Sequence, residues 1–227
     1  MQGPRWLCGL AGLVLTAAQA PAQPAAFVAG RIPDPQRCEI HAWPAPPVDS
    51  VTQGVLLNET TNQAFDPARG GRQRPNALSL EAQVAALEAM DMAVALGMPG
   101  ATRIIHSQPL SRQQAMAGRN RLSPPGAPCA VEVIVSRLYY GFDTLGGRNL
   151  HSLILFREFG EGAEAIATFS TLEETNLAVP FAKGEAPSAA AEAETAAAYR
   201  ENLGRAFARA RTTPDPRGRR RPKGEGS

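Results

Sequence analysis

Cys129-Ala130-Val131-Glu132-Val133-Ile134-Val135-Ser136-Arg137-Leu138-Tyr139-Tyr140 is the stretch on which the fold turns. It is rich in Val and Ile, the residues that pack best on a pleated surface, and so specifies a strand. The strand leads into a meander. Residues 141–149, with Gly146-Gly147, make a hairpin loop, and residues 150–159 form the next strand. Gly160 and Gly162 then turn the chain into a strand over residues 165–171.

Upstream the pattern changes. Cys38-Glu39-Ile40-His41-Ala42-Trp43 alternates as a strand and is stopped by Pro44, Pro46 and Pro47. Residues 48–77 read as an irregular loop, with turns at Asp66-Pro67 and Gly70-Gly71. Ser79 caps a helix whose positions Leu80, Val84, Leu87, Met90 or Asp91, and Val94 keep helical spacing until Gly97 and Pro99 end it. Arg103-Ile104-Ile105-His106-Ser107 is a strand, and Ser111-Arg112-Gln113-Gln114 is the capping box of a short helix closed by Gly118. A last helix over residues 188–209 carries the stripe Ala196, Tyr199, Leu203 and Phe207, narrow enough to pack on a sheet.

The order is β-α-β-α-β-β-β-α, an α+β fold with a single mixed sheet and helices on one or both faces. Crossovers make the first half parallel, and the second half is an antiparallel meander. Hydrophobic residues at 44% and charged residues at 19% suit a globular domain. Aromatics at 6% leave its core to Val, Ile, Leu, Met and Ala.

The order resembles the amino-terminal domain of the periplasmic protein TolB and CsgG-like envelope proteins. Met90-Asp91-Met92-Ala93-Val94-Ala95-Leu96-Gly97 looks like the helix end of those domains, and the Cys129 strand with its meander sits where theirs does. The likeness covers residues 38–210, without the β-propeller that accompanies the TolB domain. It implies a binding role in the cell envelope.

The first residues support that compartment. Arg5 precedes an apolar run from Trp6 to Ala18, too short to span a bilayer. Ala-x-Ala sites follow at Ala18 to Ala20 and at Ala20 to Ala22. Residues 1–22 read as a signal peptide, cut after Ala22 because Pro21 would hinder the earlier site. Residues 23–37 form a Pro/Ala-rich leader, 38–210 one domain, and 211–227 a disordered basic tail. No later segment spans a membrane, so the exported chain is expected to be periplasmic or secreted.

Export leaves Cys38 and Cys129, which are expected to pair in an oxidising compartment. Cys38 opens the first strand and Cys129 the third. With strand order 2-1-3 those strands are parallel neighbours whose starting ends lie about 4.8 Å apart, within reach of a disulfide.

His41, His106 and His151 all fall on strands, without the close spacing of a ligand pair, and read as partly exposed strand histidines. No metal or cofactor site is expected. Asp143-Thr144-Leu145-Gly146 misses the aspartic-protease pattern at Leu145. Gly160-Glu161-Gly162 lacks the third glycine of a dinucleotide motif. Glu173 and Glu174 read as solvated neighbours facing opposite ways. The hairpin gathers Arg137, Tyr139, Tyr140, Phe142 and Arg148, an arginine-aromatic set of the kind enriched at interfaces, although alternation sends one of Tyr139 and Tyr140 into the core. Arg217, Arg219, Arg220, Arg221 and Lys223 give the tail a basic run suited to an anionic membrane surface, while export makes nucleic acid a poor partner.

These features point to an exported, non-catalytic binding protein whose partner is an envelope component. The alternatives are a small hydrolase whose histidines meet only in space, and a carrier of a small or lipidic ligand.

Overall fold

A computed structural model describes residues 34–46, 49–52, 77–116, 119–142, 148–179 and 186–212. The residues expected to form a signal peptide, most of the expected leader and the basic run of the tail lie outside these residues.

One mixed sheet organises the domain. β1 (Cys38–Trp43) lies between β3 (Thr102–Ile105) and β4 (Cys129–Phe142), parallel to both. β5 (Arg148–Phe159) and β6 (Ala167–Asn176) continue from β4 as an antiparallel meander, giving the order β3-β1-β4-β5-β6. This is the parallel centre and antiparallel flank expected from the sequence. Cys38 and Cys129 are register partners joined by a disulfide, with Cα atoms 4.7 Å apart. That bond is characteristic of oxidising compartments. Among the described residues no helix is long and apolar enough to cross a membrane.

Three elements depart from the sequence reading. The loop over 48–77 holds a strand at its start, β2 (Asp49–Thr52), which pairs parallel with the far end of β4, Tyr139–Phe142. It continues the line of β1 along β4. Four residues with one Val gave no periodic signal.

The single helix from Ser79 to Gly97 is two: α1 (Leu80–Ala89) and α2 (Met92–Ala95). Met90 is extended between them, and the Asp91 carboxylate caps α2 by accepting from Val94 N. Val94 is consequently exposed, and Gln83 is buried because its Oε1 accepts from Ala45 N at 2.9 Å. Gly97 then reverses the chain at φ 72, in the left-handed region open to glycine. Finally, β6 runs on to Asn176, so Glu173 lies within it and is buried. Its carboxylate accepts from Thr171 and lies 3.1 Å from Arg209 Nε and 3.4 Å from Arg205 Nε of α4 (Ala189–Thr212). Glu174 is exposed, as expected.

α4 starts where Ser188 Oγ accepts from Ala191 N and lies across β5 and β6 against α1 and α2. Tyr199, Leu203 and Phe207 of the expected stripe are buried, and Ala196 is partly buried. They meet Ile40 and Ala42 of β1, Val131, Val133 and Val135 of β4, and Ile154 and Phe156 of β5 in one core. The opposite face is covered only in part. α3 (Arg112–Met116), with its capping box intact at Ser111 and Gln114, packs there with Ala115 beside Trp43 and Ile134.

Candidate functional site

Alternation along β4 would keep Arg137 and Tyr139 on the same side as Val131, Val133 and Val135. A register shift between Val135 and Arg137 prevents this. Ser136 is the extra residue, its Oγ donating to Leu153 O at 3.1 Å. Such a bulge exchanges the faces of everything beyond it. Leu138 and Tyr140 therefore stay in the α4 core, and Arg137 and Tyr139 move to the partly covered face.

The expected interaction set is thus divided. Tyr140 is buried, and that burial pushes its phenol up to about 12. Arg148 pairs in register with Phe142 at the base of the hairpin, on the α4 side by alternation with the buried Leu150. The side chain of Phe142 and the hairpin tip lie outside the described residues. Arg137 and Tyr139 do come together: the guanidinium carbon lies 4.9 Å from the ring centroid, in cation–π geometry.

His151 completes this cluster, and sequence analysis missed it. It is the register partner of Tyr139, and the two rings stack with centroids 4.5 Å apart. The imidazole is buried rather than partly exposed, with Nδ1 3.7 Å from the Glu174 carboxylate. Burial lowers its pKa, and Glu174 opposes that shift. Room for the ring comes from Gly141: a Cβ there would lie 2.9 Å from His151 Cδ2 and nearer still to Nε2. Gly141→Ala should therefore displace the imidazole and cost about 1–3 kcal/mol, the usual range for overpacking. Urea unfolding of Gly141→Ala in wild-type and His151→Ala backgrounds checks this. The penalty should largely vanish once the imidazole is gone, and an equal penalty in both would place the strain elsewhere.

Below the cluster the described residues leave the face open. Leu153 and Leu155 of β5 and Thr168, Ser170 and Leu172 of β6 point the same way, and Leu172 is 49% exposed. A groove of about 190 Å³ runs between these strands and the edge of α3, lined by Ala115, Ser136, Leu153, Leu155, Thr168 and Ser170 above Arg157. Arg157 marks where the cover ends. Its guanidinium donates to Ala115 O and lies 3.8 Å from the Glu132 carboxylate, beneath the chain that precedes β4.

The remaining histidines sit on the covered half of this face. His41 is buried, contrary to the partly exposed position expected, whereas His106 is half-buried. The parallel register of β1 and β3 brings them together: Ala42 pairs with Ile105, and His106 N donates to Ala42 O at 2.9 Å. Trp43 stacks on His106 with centroids 4.2 Å apart. Among the described residues no group of three or more His, Cys, Asp or Glu converges to hold a metal ion.

No protein-family model matches the chain, and no curated protein does. A solved structure described as an uncharacterized protein aligns with a TM-score of 0.31 and 13% identity, over 76% of this chain and 93% of that one. A score that low assigns neither fold nor function.

Proposed function

We propose that this is an exported protein of the cell envelope that holds a protein partner on the open face of β4, β5 and β6. The observation that carries the reading is the exposure of Leu172 beside Leu153 and Leu155, in line with the Arg137–Tyr139 pair. An apolar row next to a stacked arginine is the composition of a contact surface: the leucines exclude water, and the guanidinium fixes a carboxylate or carbonyl of the partner. The groove is smaller than the roughly 300–1,000 Å³ of sites that engulf a small molecule, which favours a partner's side chain over a carried ligand.

The apolar, Ala-x-Ala-bearing amino terminus and the disulfide support the envelope location, as does the likeness in element order to the TolB amino-terminal domain. Periplasmic residence rests on those features together.

The test uses the chain without residues 1–22 as bait in envelope extracts, beside a Leu172→Asp variant. Leu172 is half exposed, so the variant should melt within a degree or two of the wild type while retaining its partner at least ten-fold less well. Equal retention of the same proteins by both baits would rule this face out.

A further inference from the structure

The covered half of the same sheet face carries a chain of three side chains that binding does not use. Glu39 and His41 are two residues apart on β1 and so share a face. His41 Nε2 lies 2.9 Å from Glu39 Oε2, and His41 Nδ1 lies 3.1 Å from His106 Nε2. Hydrogen-bond accounting fixes where the protons sit. An ionised carboxylate only accepts, so His41 Nε2 carries a proton. In neutral His41 the other nitrogen, Nδ1, then accepts, and His106 Nε2 must donate to it. The lone pair of the chain is thereby delivered to Nδ1 of His106, the half-buried end, which has no hydrogen-bond partner among the described residues.

Two further features hold the chain in place. Trp43 lies flat against the His106 ring, their planes 3° apart. Arg121 sits 3.8 Å from the same Glu39 oxygen and is itself fixed by bonds to Ser123 Oγ and Ala127 O. The charged groups around the chain are Glu39 on β1, Arg121 on the segment before β4, and the Glu132–Arg157 pair on β4 and β5. Burial, reinforced by the neighbouring His41, lowers the pKa of His106, so its lone pair is free at neutral pH.

We infer that Glu39, His41 and His106 form an acyl-transfer site for small esters in which His106 is the catalytic residue and Glu39 and His41 position it. Nδ1 of His106 attacks the ester carbonyl, and the carbon–oxygen bond to the alcohol breaks, releasing alkoxide or phenolate. The Nε2 proton passes to His41 Nδ1, which leaves a neutral acyl-imidazole beside a His41 imidazolium held by Glu39. Water gives one proton to the departed alkoxide or to solvent as it attacks the acyl carbon, and the carbon–nitrogen bond breaks. The product is the carboxylic acid, and His41 returns the proton to His106 Nε2. A lone surface imidazole lacks this proton acceptor. The chain follows the orienting logic of a carboxylate–histidine pair with a second imidazole as nucleophile.

The probe is p-nitrophenyl acetate with the folded chain lacking residues 1–22. Wild type should release p-nitrophenolate at least ten-fold faster than free imidazole at equal concentration. His106→Gln should lose that excess, and Glu88→Gln, on the exposed surface of α1, should keep it. Glu39→Gln preserves shape and removes the charge, so it should lower the rate about ten-fold or more. It should also move the acid limb of the pH profile to lower pH, because imidazolium loses its counter-charge. Nitrogen-correlated NMR of the histidine rings gives a readout independent of rate: His41 and His106 should both be protonated at Nε2. A His106→Gln variant as fast as wild type, a wild-type rate no greater than imidazole, or Nδ1-protonated His106 would each overturn the assignment.

Discussion

Replacing Cys38 and Cys129 together by Ala should cost about 4.5 kcal/mol, the figure the chain-entropy model gives for a loop of this size. The bonded residues are 91 apart in sequence, and the loop between them contains β2, α1, α2, β3 and α3. Their bond sits at the first register position of β1 on β4. Most of its effect lies in the unfolded chain, which loses conformations when its ends are tied. Domains of this size have about 5–15 kcal/mol in total, so the bond would account for between roughly a third and nearly all of the stability. Urea unfolding with and without reductant measures the difference. A loss below about 1 kcal/mol would mean that strand pairing and the core around Ile40 and Val131 set the register unaided.

That bond also shows how much of the fold was legible. Alternation located β1, and Val and Ile located β4. The crossovers gave the order 2-1-3, and the cysteine pairing followed because both residues open their strands. The same order held the clue to the histidines. Once β1 and β3 are neighbours, the pairing of Ala42 with Ile105 places His106 beside Trp43. Spacing within one segment could not reveal a contact between side chains 65 residues apart. In the hairpin cluster, alternation sent one of Tyr139 and Tyr140 into the core, as found, but could not say which. Period-two reasoning cannot see a bulge, and Ser136 reverses the faces of Arg137 and Tyr139. Glu173 was read as solvated because its counter-charges, Arg205 and Arg209, lie on α4 and approach only through packing. The helix break at Met90–Asp91 was written in the sequence as a second capping residue, but regular apolar spacing across it suggested one continuous element.

Glu132→Ala should destabilise the domain by about 3–5 kcal/mol, the cost of leaving a buried ion without its partner. Glu132 is fully buried on β4, on the face away from α4, and one of its oxygens accepts from two backbone donors, Leu122 N at 2.6 Å and Ser123 N at 2.7 Å. Its other oxygen lies 3.8 Å from the buried Arg157 guanidinium. Burial lowers the Arg157 pKa, and Glu132 opposes that effect. The substitution therefore exposes two costs at once: a desolvated cation without a counter-charge, and two N–H groups without acceptors. Arg157→Leu alone should cost less, because Glu132 keeps both backbone donors. In a Glu132→Ala background Arg157→Leu should regain stability, since it removes the stranded charge. The double-mutant cycle read by urea unfolding should give a coupling of more than about 1 kcal/mol. The chain at Leu122 and Ser123 also carries Arg121 to Glu39, so loss of Glu132 should disturb the His41–His106 hydrogen bond without touching either ring. A small loss with no coupling would show that water entering from the groove satisfies Arg157, and that the cover over this half of the sheet is held by Trp43, Ala115 and Ile134 instead.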